Sequence, residues 1–314
     1  MGIEAGQMAA KTYVELNERG VLAVSGPDAR TFLQGLISND VLRVSPARAI
    51  YAALLTAQGR YLHDFFIAEI GGVLALDCEA ARRDDLIKRL KMYKLRSNVT
   101  LGDWTGRMAV AAMPGADALA ALGLGREPGA ARDFSGGSAF ADPRLVAMGA
   151  RAILPRDTLG ATLGGAGFDP GRHADYETLR LTFGMPDGSR DLVVDKSLLL
   201  ENGFDELNGV DWKKGCYVGQ ELTARTKYRG LVRKRLLPVR IEGPAPAPGA
   251  IVNLGSDEAG EMRSAADGMG LALLRLEMVD KAAAEGGAFN AEGARLVPLK
   301  PEWIRLQTAE AAKS

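Results

Sequence analysis

The stretch KGCYVGQELTAR, Lys214–Arg225, places one of the chain's two cysteines between two glycines and follows it with polar and charged residues. Two lysines, Lys213 and Lys214, come just before Cys216, and neighbouring cations favour the thiolate form of a cysteine. Glycine on either side leaves the backbone open to close approach by a ligand. The stretch therefore predicts a reactive thiol at Cys216. The alternative is a small buried hydrophobic side chain in a tight turn.

The residues after this cysteine are suited to a polar ligand. Gln220 carries an amide that donates and accepts hydrogen bonds, and Glu221 carries a carboxylate that accepts them. The segment 212–240 contains one acid, Glu221, and nine cations: Lys213, Lys214, Arg225, Lys227, Arg229, Arg233, Lys234, Arg235 and Arg240. This excess predicts either a solvated pair of strands with outward charges or a surface beside the cysteine that faces an anion.

The composition is that of a soluble globular protein. Hydrophobic residues make up 47% and charged residues 25% of the 314 residues. At about 100–200 residues per domain, this length holds two or three domains. No apolar run approaches the ~18–20 residues that span a bilayer, and the N-terminus lacks the basic start and apolar stretch of a signal peptide. We therefore expect a cytoplasmic protein with no membrane partner, and we expect a monomer.

Few residues of the chain are suited to metal binding. The sequence has two cysteines, Cys78 and Cys216, and two histidines, His63 and His173, without a CxxC pair. This set cannot build a four-cysteine zinc or iron–sulfur site, so we expect no metal site in the chain alone. Cations and acids balance at 39 each and aromatic residues make up only 6%, so direct nucleic-acid binding is not expected.

Short apolar runs, turn residues and helical spacings predict an α+β fold. The predicted strands are Gly20–Gly26, Ala49–Leu55, Tyr61–Glu69, Val73–Asp77 and Met108–Ala112. The predicted helices are one that starts at Pro27 and is closed by Asn39 and Asp40, and those at Asp84–Leu95, Ala116–Leu122 and Asp175–Phe183. The stretch GREPGAARDFSGGS, residues 125–138, is predicted as a loop.

The character of the sequence changes after Arg235. Short strand-like pieces alternate there with glycine and proline, which predicts a small β-barrel or sandwich. We place the main domain boundary at this point, with an α+β region at 1–235 and a C-terminal β-barrel at 236–314. The Ala- and Gly-rich stretch near 105–140 marks a place where the first region can divide into two subdomains.

The signature around Cys216 and its continuation LTARTKYRGLVRKRL resemble those of the YgfZ-type folate-binding proteins and their mitochondrial counterparts in iron–sulfur assembly. Further stretches resemble the same family: VSGPDARTFLQGLISND (Val24–Asp40), MYKLRSNV (Met92–Val99), and LRLTFGMPDG with LLLENGFDELNGVDWKKGC. The resemblance implies the fold of the glycine cleavage T-protein, in which an α+β folate-binding region and a C-terminal β-barrel surround a central cavity.

In function, the resemblance implies a tetrahydrofolate-binding accessory protein for the assembly or repair of [4Fe–4S] enzymes, including enzymes that modify tRNA. Its partners would be iron–sulfur client or scaffold proteins, and Cys216 would be the functional thiol. The folate, as tetrahydrofolate or a one-carbon or polyglutamyl derivative, would contact residues that match the family's motifs: Asn39, Asp40, Tyr93, Arg96, Tyr176, Arg180, Lys214, Gly215, Tyr217, Gly219, Gln220, Glu221 and Arg225. Tyr176 precedes Arg180 by one helical turn and could stack on a pterin; a core tyrosine is the alternative.

Departures from the T-protein pattern bear on catalysis. The T-protein element Arg-x-Glu-x-Gly reads RLTFG at 180–184, and its threonine, Thr182, cannot give the pterin a charged two-pronged acceptor. Asp84 or Asp85 lies near the place of the T-protein's catalytic aspartate. The departures favour an accessory protein without classical catalytic activity. The alternative is a folate-dependent aminomethyltransferase or another one-carbon transferase, in which Asp84 or Asp85 would matter more than Cys216.

Overall fold

The computed structural model describes residues 11–230 and 232–305. The strands are β1 (Thr12–Glu15), β2 (Arg19–Ser25), β3 (Ile50–Leu55), β4 (Tyr61–Ile70), β5 (Val73–Glu79), β6 (Thr100–Asp103), β7 (Met108–Met113), β8 (Ala131–Phe134), β9 (Gly137–Ala141), β10 (Ala150–Pro155), β11 (Asp169–Pro170), β12 (Lys234–Glu242), β13 (Ile251–Leu254), β14 (Asp257–Ala266), β15 (Met269–Arg275), β16 (Phe289–Ala291) and β17 (Ala294–Pro298). The helices are α1 (Ala29–Gln34), α2 (Arg83–Lys94), α3 (Asp117–Ala121), α4 (Leu159–Gly165), α5 (His173–Thr182), α6 (Gly188–Asp191), α7 (Gln220–Tyr228) and α8 (Leu276–Glu285).

The described chain divides into two compact units, residues 11–52 with 64–176 and residues 53–63 with 177–305. In the first unit, a six-stranded sheet has the order β11-β1-β7-β10-β9-β8. A five-stranded sheet has the order β3-β4-β5-β2-β6, and the chain of β3 and β4 continues into residues 53–63. Strands β3 and β7 are buried at every position, which explains why their sequences are unbroken apolar runs rather than alternating ones.

Residues 125–138 contain part of a hairpin where the sequence predicts a loop. Strands β8 and β9 pair antiparallel, and Ser135 and Gly136 between them have φ values of +46° and +80°. Two successive positive φ values are typical of the tight turn that joins paired strands. The loop prediction is wrong because Ala and Gly have low strand propensity, whereas pairing with β10 and full burial of Gly137–Ala141 stabilise β9.

The second unit contains a closed barrel in the strand order β12-β15-β14-β13-β16-β17. Strand β12 pairs antiparallel with β15 on one side and with β17 on the other, so the sheet has no open edge. The barrel core is a cluster of buried side chains that includes Leu237, Val239, Val252, Met262, Leu274 and Phe289. The predicted α+β class with a small C-terminal β-barrel is confirmed. The boundary at 235/236 stays a prediction, because strand order does not show which part folds by itself.

Helices of the described residues are short. None of them has both the length and the apolar character that crossing a bilayer requires.

Candidate functional site

Cys216 lies in residues 211–219, which precede α7 and which we call the thiol loop. Its side chain is exposed, and a β-carbon built on the neighbouring Gly215 would meet no atom within 4 Å. The other cysteine, Cys78, is 1% exposed, and burial raises the pKa of its thiol to about 12. Cys216 is therefore the cysteine that an external group can reach, and the alternative of a buried hydrophobic side chain does not hold for it.

Asp205 anchors the first end of the thiol loop. Its Oδ1 accepts a hydrogen bond of 2.6 Å from Trp212 Nε1, and its other carboxylate oxygen forms an ion pair with Lys227 of α7. The Lys227 ammonium lies 5.3 Å from the centre of the Trp212 ring. Trp212 also packs edge-on against Tyr228, with 6.1 Å between ring centroids. The loop therefore begins beside the C-terminal end of α7.

Gly219 anchors the second end. Its φ of +82° favours glycine, and a β-carbon there would lie 2.5 Å from the carbonyl oxygen of Thr56 and 2.9 Å from Leu55 Cβ. The sequence suggests that this glycine admits a ligand, but the group that approaches closely is the chain's own turn at residues 55–59. Because Gly219 immediately precedes α7, the loop ends at the N-terminus of that helix.

These two anchors fix the course of the thiol loop. Helix α7 has nine residues and is therefore about 13 Å long at ~1.5 Å per residue. The loop begins at its C-terminal end and finishes at its N-terminal end, so it runs antiparallel to the helix. Asp211 Oδ1 tightens the start by accepting hydrogen bonds from the backbone amides of Lys213 and Lys214, at 2.7 and 2.9 Å. Cys216 lies between the anchors, on the open part of the loop.

Lys214 and Tyr217 flank the exposed Gly215 and Cys216 but are themselves buried. Their exposed fractions are 8% and 7%, and the Lys214 ammonium lies 5.0 Å from the centre of the Tyr217 ring. Burial raises the pKa of Tyr217 to about 12, and its hydroxyl is buried without a hydrogen-bond partner among the described residues. The phenol is therefore neutral near pH 7. Both predicted ligand residues pack within the protein and support the loop.

The first turn of α7 presents a surface ion pair. The side chain of Glu221 is 83% exposed and pairs with Arg225, four residues later and 46% exposed. Such exposed pairs contribute only about 0.3–0.5 kcal/mol to stability. Either side chain can therefore leave the ion pair and bind a ligand at small cost. Gln220, the first residue of the helix, is half-buried. These three predicted ligand residues remain accessible, and their role stays a prediction.

The nine cations of residues 212–240 do not form one continuous anion-facing surface. Four of them pair with carboxylates of the chain: Arg225 with Glu221, Lys227 with Asp205, Arg235 with Glu206 and Arg240 with Glu242. The Arg235 guanidinium is buried and also donates to the carbonyl of Leu200 at 2.8 Å. Lys213, Arg229, Arg233 and Lys234 are exposed and pair with no carboxylate of the described residues, and Lys214 is buried.

Tyr176 and Arg180, the predicted pterin contacts on α5, are both engaged inside the protein. The Tyr176 hydroxyl is buried and accepts a hydrogen bond of 3.1 Å from Arg151. Arg180 is 1% exposed, and it donates to both oxygens of Glu177, to Asp191 and to a backbone carbonyl at 2.6–3.0 Å. These side chains hold neighbouring segments together, and their predicted contact with folate is untested.

The other predicted contacts lie in the first unit. Asn39 is buried and donates from Nδ2 to the carbonyl of Tyr51 at 2.7 Å. Asp40 accepts a hydrogen bond of 3.1 Å from the amide two residues on and caps a short 3-10 helix. Tyr93 and Arg96 are exposed around the C-terminal end of α2. Asn39 and Asp40 thus stabilise a turn, whereas Tyr93 and Arg96 remain open to a partner.

Asp84 and Asp85 lie in the first turn of α2, where carboxylates stabilise the helix dipole. Asp84 is 86% exposed and bonds to Arg83 at 3.1 Å, whereas Asp85 pairs with Arg89 at 2.8 Å. Such ion-paired surface carboxylates are typical of a helix start. Their assignment as catalytic residues stays a prediction.

The first unit contains a buried network of charged side chains that the sequence did not predict. Asp77 on β5 is fully buried, and its two carboxylate oxygens bond to Arg19 and to Arg151, each at 2.6 Å. Burial by itself raises the pKa of Asp77, but the guanidinium groups of Arg151 and Arg19 outweigh it, and the pKa lies below its usual value. One signal was present: a single acid in the apolar run VLALD, residues 73–77.

The same network surrounds an aromatic ring. The guanidinium groups of Arg151, Arg144 and Arg19 lie 4.1, 4.8 and 5.9 Å from the centre of the Phe66 ring. Arg144 in turn pairs with Asp142 at 2.8 Å. Buried, mutually paired charges of this kind hold strands in one arrangement, so the network is a determinant of the folded state of the first unit.

Replacement of Asp205 by asparagine is expected to loosen the thiol loop. The amide keeps an acceptor for Trp212 but loses the charge that holds Lys227, a loss of about 1.5 kcal/mol of local stability. Amide hydrogen exchange of the loop should become about tenfold faster, since ~1.4 kcal/mol is a factor of ten. Asp257→Asn is the matched control, because Asp257 pairs with Lys281 on the barrel at 3.0 Å. Equal exchange of the loop in both variants would contradict the anchoring role.

The fold and much of the sequence match known proteins. The GCVT N-terminal domain family matches residues 7–125, and the CAF17 C-terminal beta-barrel domain family matches residues 233–306. The chain resembles the crystal structure of the glycine cleavage system aminomethyltransferase T from Bartonella henselae, with a TM-score of 0.71 and 14% identity over 94% of this chain and 87% of that one. This likeness confirms the predicted T-protein-like fold.

Two relatives are similar over most of their length. The chain is 38% identical over 291 residues to the mitochondrial iron–sulfur cluster assembly factor IBA57 of Homo sapiens, covering 86% of this chain and 79% of the relative. It is 36% identical over 307 residues to the factor of the same name from Mus musculus, covering 89% and 82%. Both are named mitochondrial, so the predicted cytoplasmic location is wrong. Composition misled here because it does not distinguish the cytosol from other aqueous compartments.

Proposed function

The chain belongs to the family of iron–sulfur cluster assembly factors named IBA57, and we propose that it acts in iron–sulfur cluster assembly through the thiol of Cys216. The observation that carries this proposal is the contrast between the two cysteines. Cys216 is exposed on a loop fixed at both ends, whereas Cys78 is buried. Like its relatives, the protein would act in mitochondria.

Thiolate chemistry gives Cys216 its role. The thiolate is the form of cysteine that ligates iron, and iron–sulfur clusters are commonly held by four such ligands. One exposed thiol supplies one ligand, so the cluster, as cargo, would take its remaining ligands from a scaffold or client protein that approaches the thiol loop. The proposed clients are [4Fe–4S] enzymes and, on the family resemblance, include enzymes that modify tRNA. Exchange of the thiol with a partner's disulfide would use the same exposure.

Tetrahydrofolate binding is proposed on the fold alone. Tyr176, Arg180 and Asn39 were expected to contact folate, but each uses its polar groups in hydrogen bonds within the protein. These three residues do not fit the role of open ligands, and no step of the proposed function passes through folate. The alternative, an aminomethyltransferase, gains no support from Asp84, whose side chain is 86% exposed to water.

Anaerobic reconstitution of the purified protein tests the proposal. Wild-type protein is mixed with ferrous iron, sulfide and glutathione, which provides the other thiolates, and then passed through a desalting column. We expect wild type and Cys78→Ala to retain the visible absorption of an iron–sulfur cluster and Cys216→Ser to lose at least nine-tenths of it. Equal retention by Cys216→Ser would refute the thiol as cluster ligand.

A parallel titration with tetrahydrofolate separates the two ligands. Folate binding that is equal in wild type and Cys216→Ser would support a folate site independent of the thiol. Absence of binding to wild type would remove folate from the proposal and leave the role of the thiol untouched.

A further inference from the structure

The C-terminal end of α2 presents an unusual concentration of exposed apolar side chains. The large hydrophobic residues exposed in the described chain are Leu42, Met92, Tyr93, Leu95, Tyr228 and Ile251. Three of these six lie within four consecutive positions, and Leu95 and Met92 are 88% and 68% exposed. Scattered exposed hydrophobic residues need no explanation, but a concentration of them marks a site of interaction.

The charges of α2 are distributed unevenly. Arg82, Arg83 and Arg89 form ion pairs with Glu79, Asp84, Asp85 and Asp103. Four cations between the middle of the helix and the residues just beyond its end, Lys88, Lys91, Lys94 and Arg96, pair with no carboxylate of the described residues. Cations near a helix C-terminus interact favourably with the helix dipole, by about 0.3–1 kcal/mol each. The dipole explains the charges in part, but it does not explain the exposed Met92 and Leu95.

Leu95 is the least expected residue of this surface. It follows the last residue of α2 with a φ of +42°, in the region that favours glycine. A residue with a side chain held in such a conformation costs about 1–3 kcal/mol, and the Leu95 ψ of −113° lies outside the left-handed conformation in which helices commonly end with glycine. Because Leu95 is 88% exposed, packing within the described chain does not compensate for this cost.

We infer that residues 88–96, here called the α2 surface, dock a protein partner whose surface is acidic and carries an apolar recess for Met92 and Leu95. The four unpaired cations select the acidic partner by charge complementarity. A symmetric dimer through this surface does not fit, because two α2 surfaces would place cation against cation. The inference does not rest on Cys216 or on the proposed function.

A membrane and a nucleic acid fit the α2 surface less well than an acidic protein does. Asp84, 86% exposed, lies on the same helical row as Lys88 and Lys91, at spacings of four and seven residues. A helix lying flat on an anionic bilayer would therefore press this carboxylate against lipid phosphates. Nucleic acids bind cationic side chains and stack on aromatic rings, but they offer no partner for exposed aliphatic side chains.

Photocrosslinking from within the α2 surface tests the inference. The full chain carries p-benzoylphenylalanine at position 92, is expressed in human cells that lack their own relative, and is irradiated. We expect a protein adduct whose partner has a net negative charge by sequence, and whose yield falls at least tenfold in a Lys91→Glu/Lys94→Glu background. The partner, once identified and purified, should bind the wild-type chain less tightly as salt is raised.

Matched variants separate the possible outcomes. Arg126→Glu/Lys300→Glu changes the net charge equally at two exposed positions elsewhere and should leave the adduct unchanged. Cys216→Ser should also leave it unchanged, so loss of the proposed function and loss of docking can be distinguished. The inference is overturned by an adduct that persists in Lys91→Glu/Lys94→Glu, by crosslinking to RNA alone, by the absence of any adduct, or by sedimentation of the chain with phosphatidylserine vesicles.

Discussion

Replacement of Cys216 by serine is expected to abolish support of [4Fe–4S] enzymes while leaving the fold intact. Cys216 is exposed, and substitutions at such positions usually change the free energy of unfolding by no more than about 0.5 kcal/mol. Serine keeps the size of the side chain, but its hydroxyl is not the thiolate that ligates iron. In human cells without their own relative, the activity of a mitochondrial [4Fe–4S] enzyme should fall at least tenfold relative to cells that express the wild-type chain.

Cys78→Ala serves as the control for this experiment. It removes the other thiol of the chain, which is buried and whose pKa burial raises to about 12, so client activity should stay close to that of the wild type. Thermal unfolding of Cys216→Ser should match the wild type, which separates loss of chemistry from loss of fold. Full client activity in cells that express Cys216→Ser would show that the protein works without this thiol.

Local patterns of the sequence predict much of the fold. The helical spacing of Leu86 and Leu90 predicts a helix at Asp84–Leu95, and α2 spans Arg83–Lys94 with both leucines buried. The glycine and proline punctuation after Arg235 likewise predicts the barrel. The hairpin of β8 and β9 was not predicted, because these segments become strands by pairing. Strand β8 pairs with β9, and β9 also pairs with β10. Residue propensity alone does not contain that information.

The same distinction applies to the candidate site. An isolated cysteine among cations and glycines makes Cys216 the candidate without coordinates, and the structure shows that its side chain is exposed. The anchor of its loop was not foreseeable, because Asp205 meets Lys227 across 22 residues of sequence. Gly219 was interpreted as space for a ligand, whereas its neighbour is the turn at 55–59. Long-range pairs decide how a loop is held, and one sequence shows only the residues that are available for such pairs.

Asp77 carries the largest expected effect on stability. Replacement by alanine leaves the guanidinium groups of Arg19 and Arg151 buried without their shared counter-charge, at 5% and 2% exposed. Loss of one partner of a buried ion pair costs about 3–5 kcal/mol. Since domains are stable by only about 5–15 kcal/mol, Asp77→Ala should lose about a fifth or more of its free energy of unfolding. Denaturant titration at pH 7 measures this loss, and Asp157→Ala, at an exposed position of the same unit, should change it by less than about 0.5 kcal/mol.

The pH dependence of a second variant, Asp77→Asn, identifies the cause. Because the folded pKa of Asp77 lies below its value in the unfolded chain, the carboxylate stabilises the fold fully above the unfolded pKa of about 3.9. This stabilisation is lost as pH falls through the folded pKa. The stability difference between wild type and Asp77→Asn should therefore be constant from pH 7 to about pH 5 and shrink at lower pH. A difference that stays constant down to the acid unfolding of the wild type would mean that packing, and not the charge of Asp77, determines its contribution.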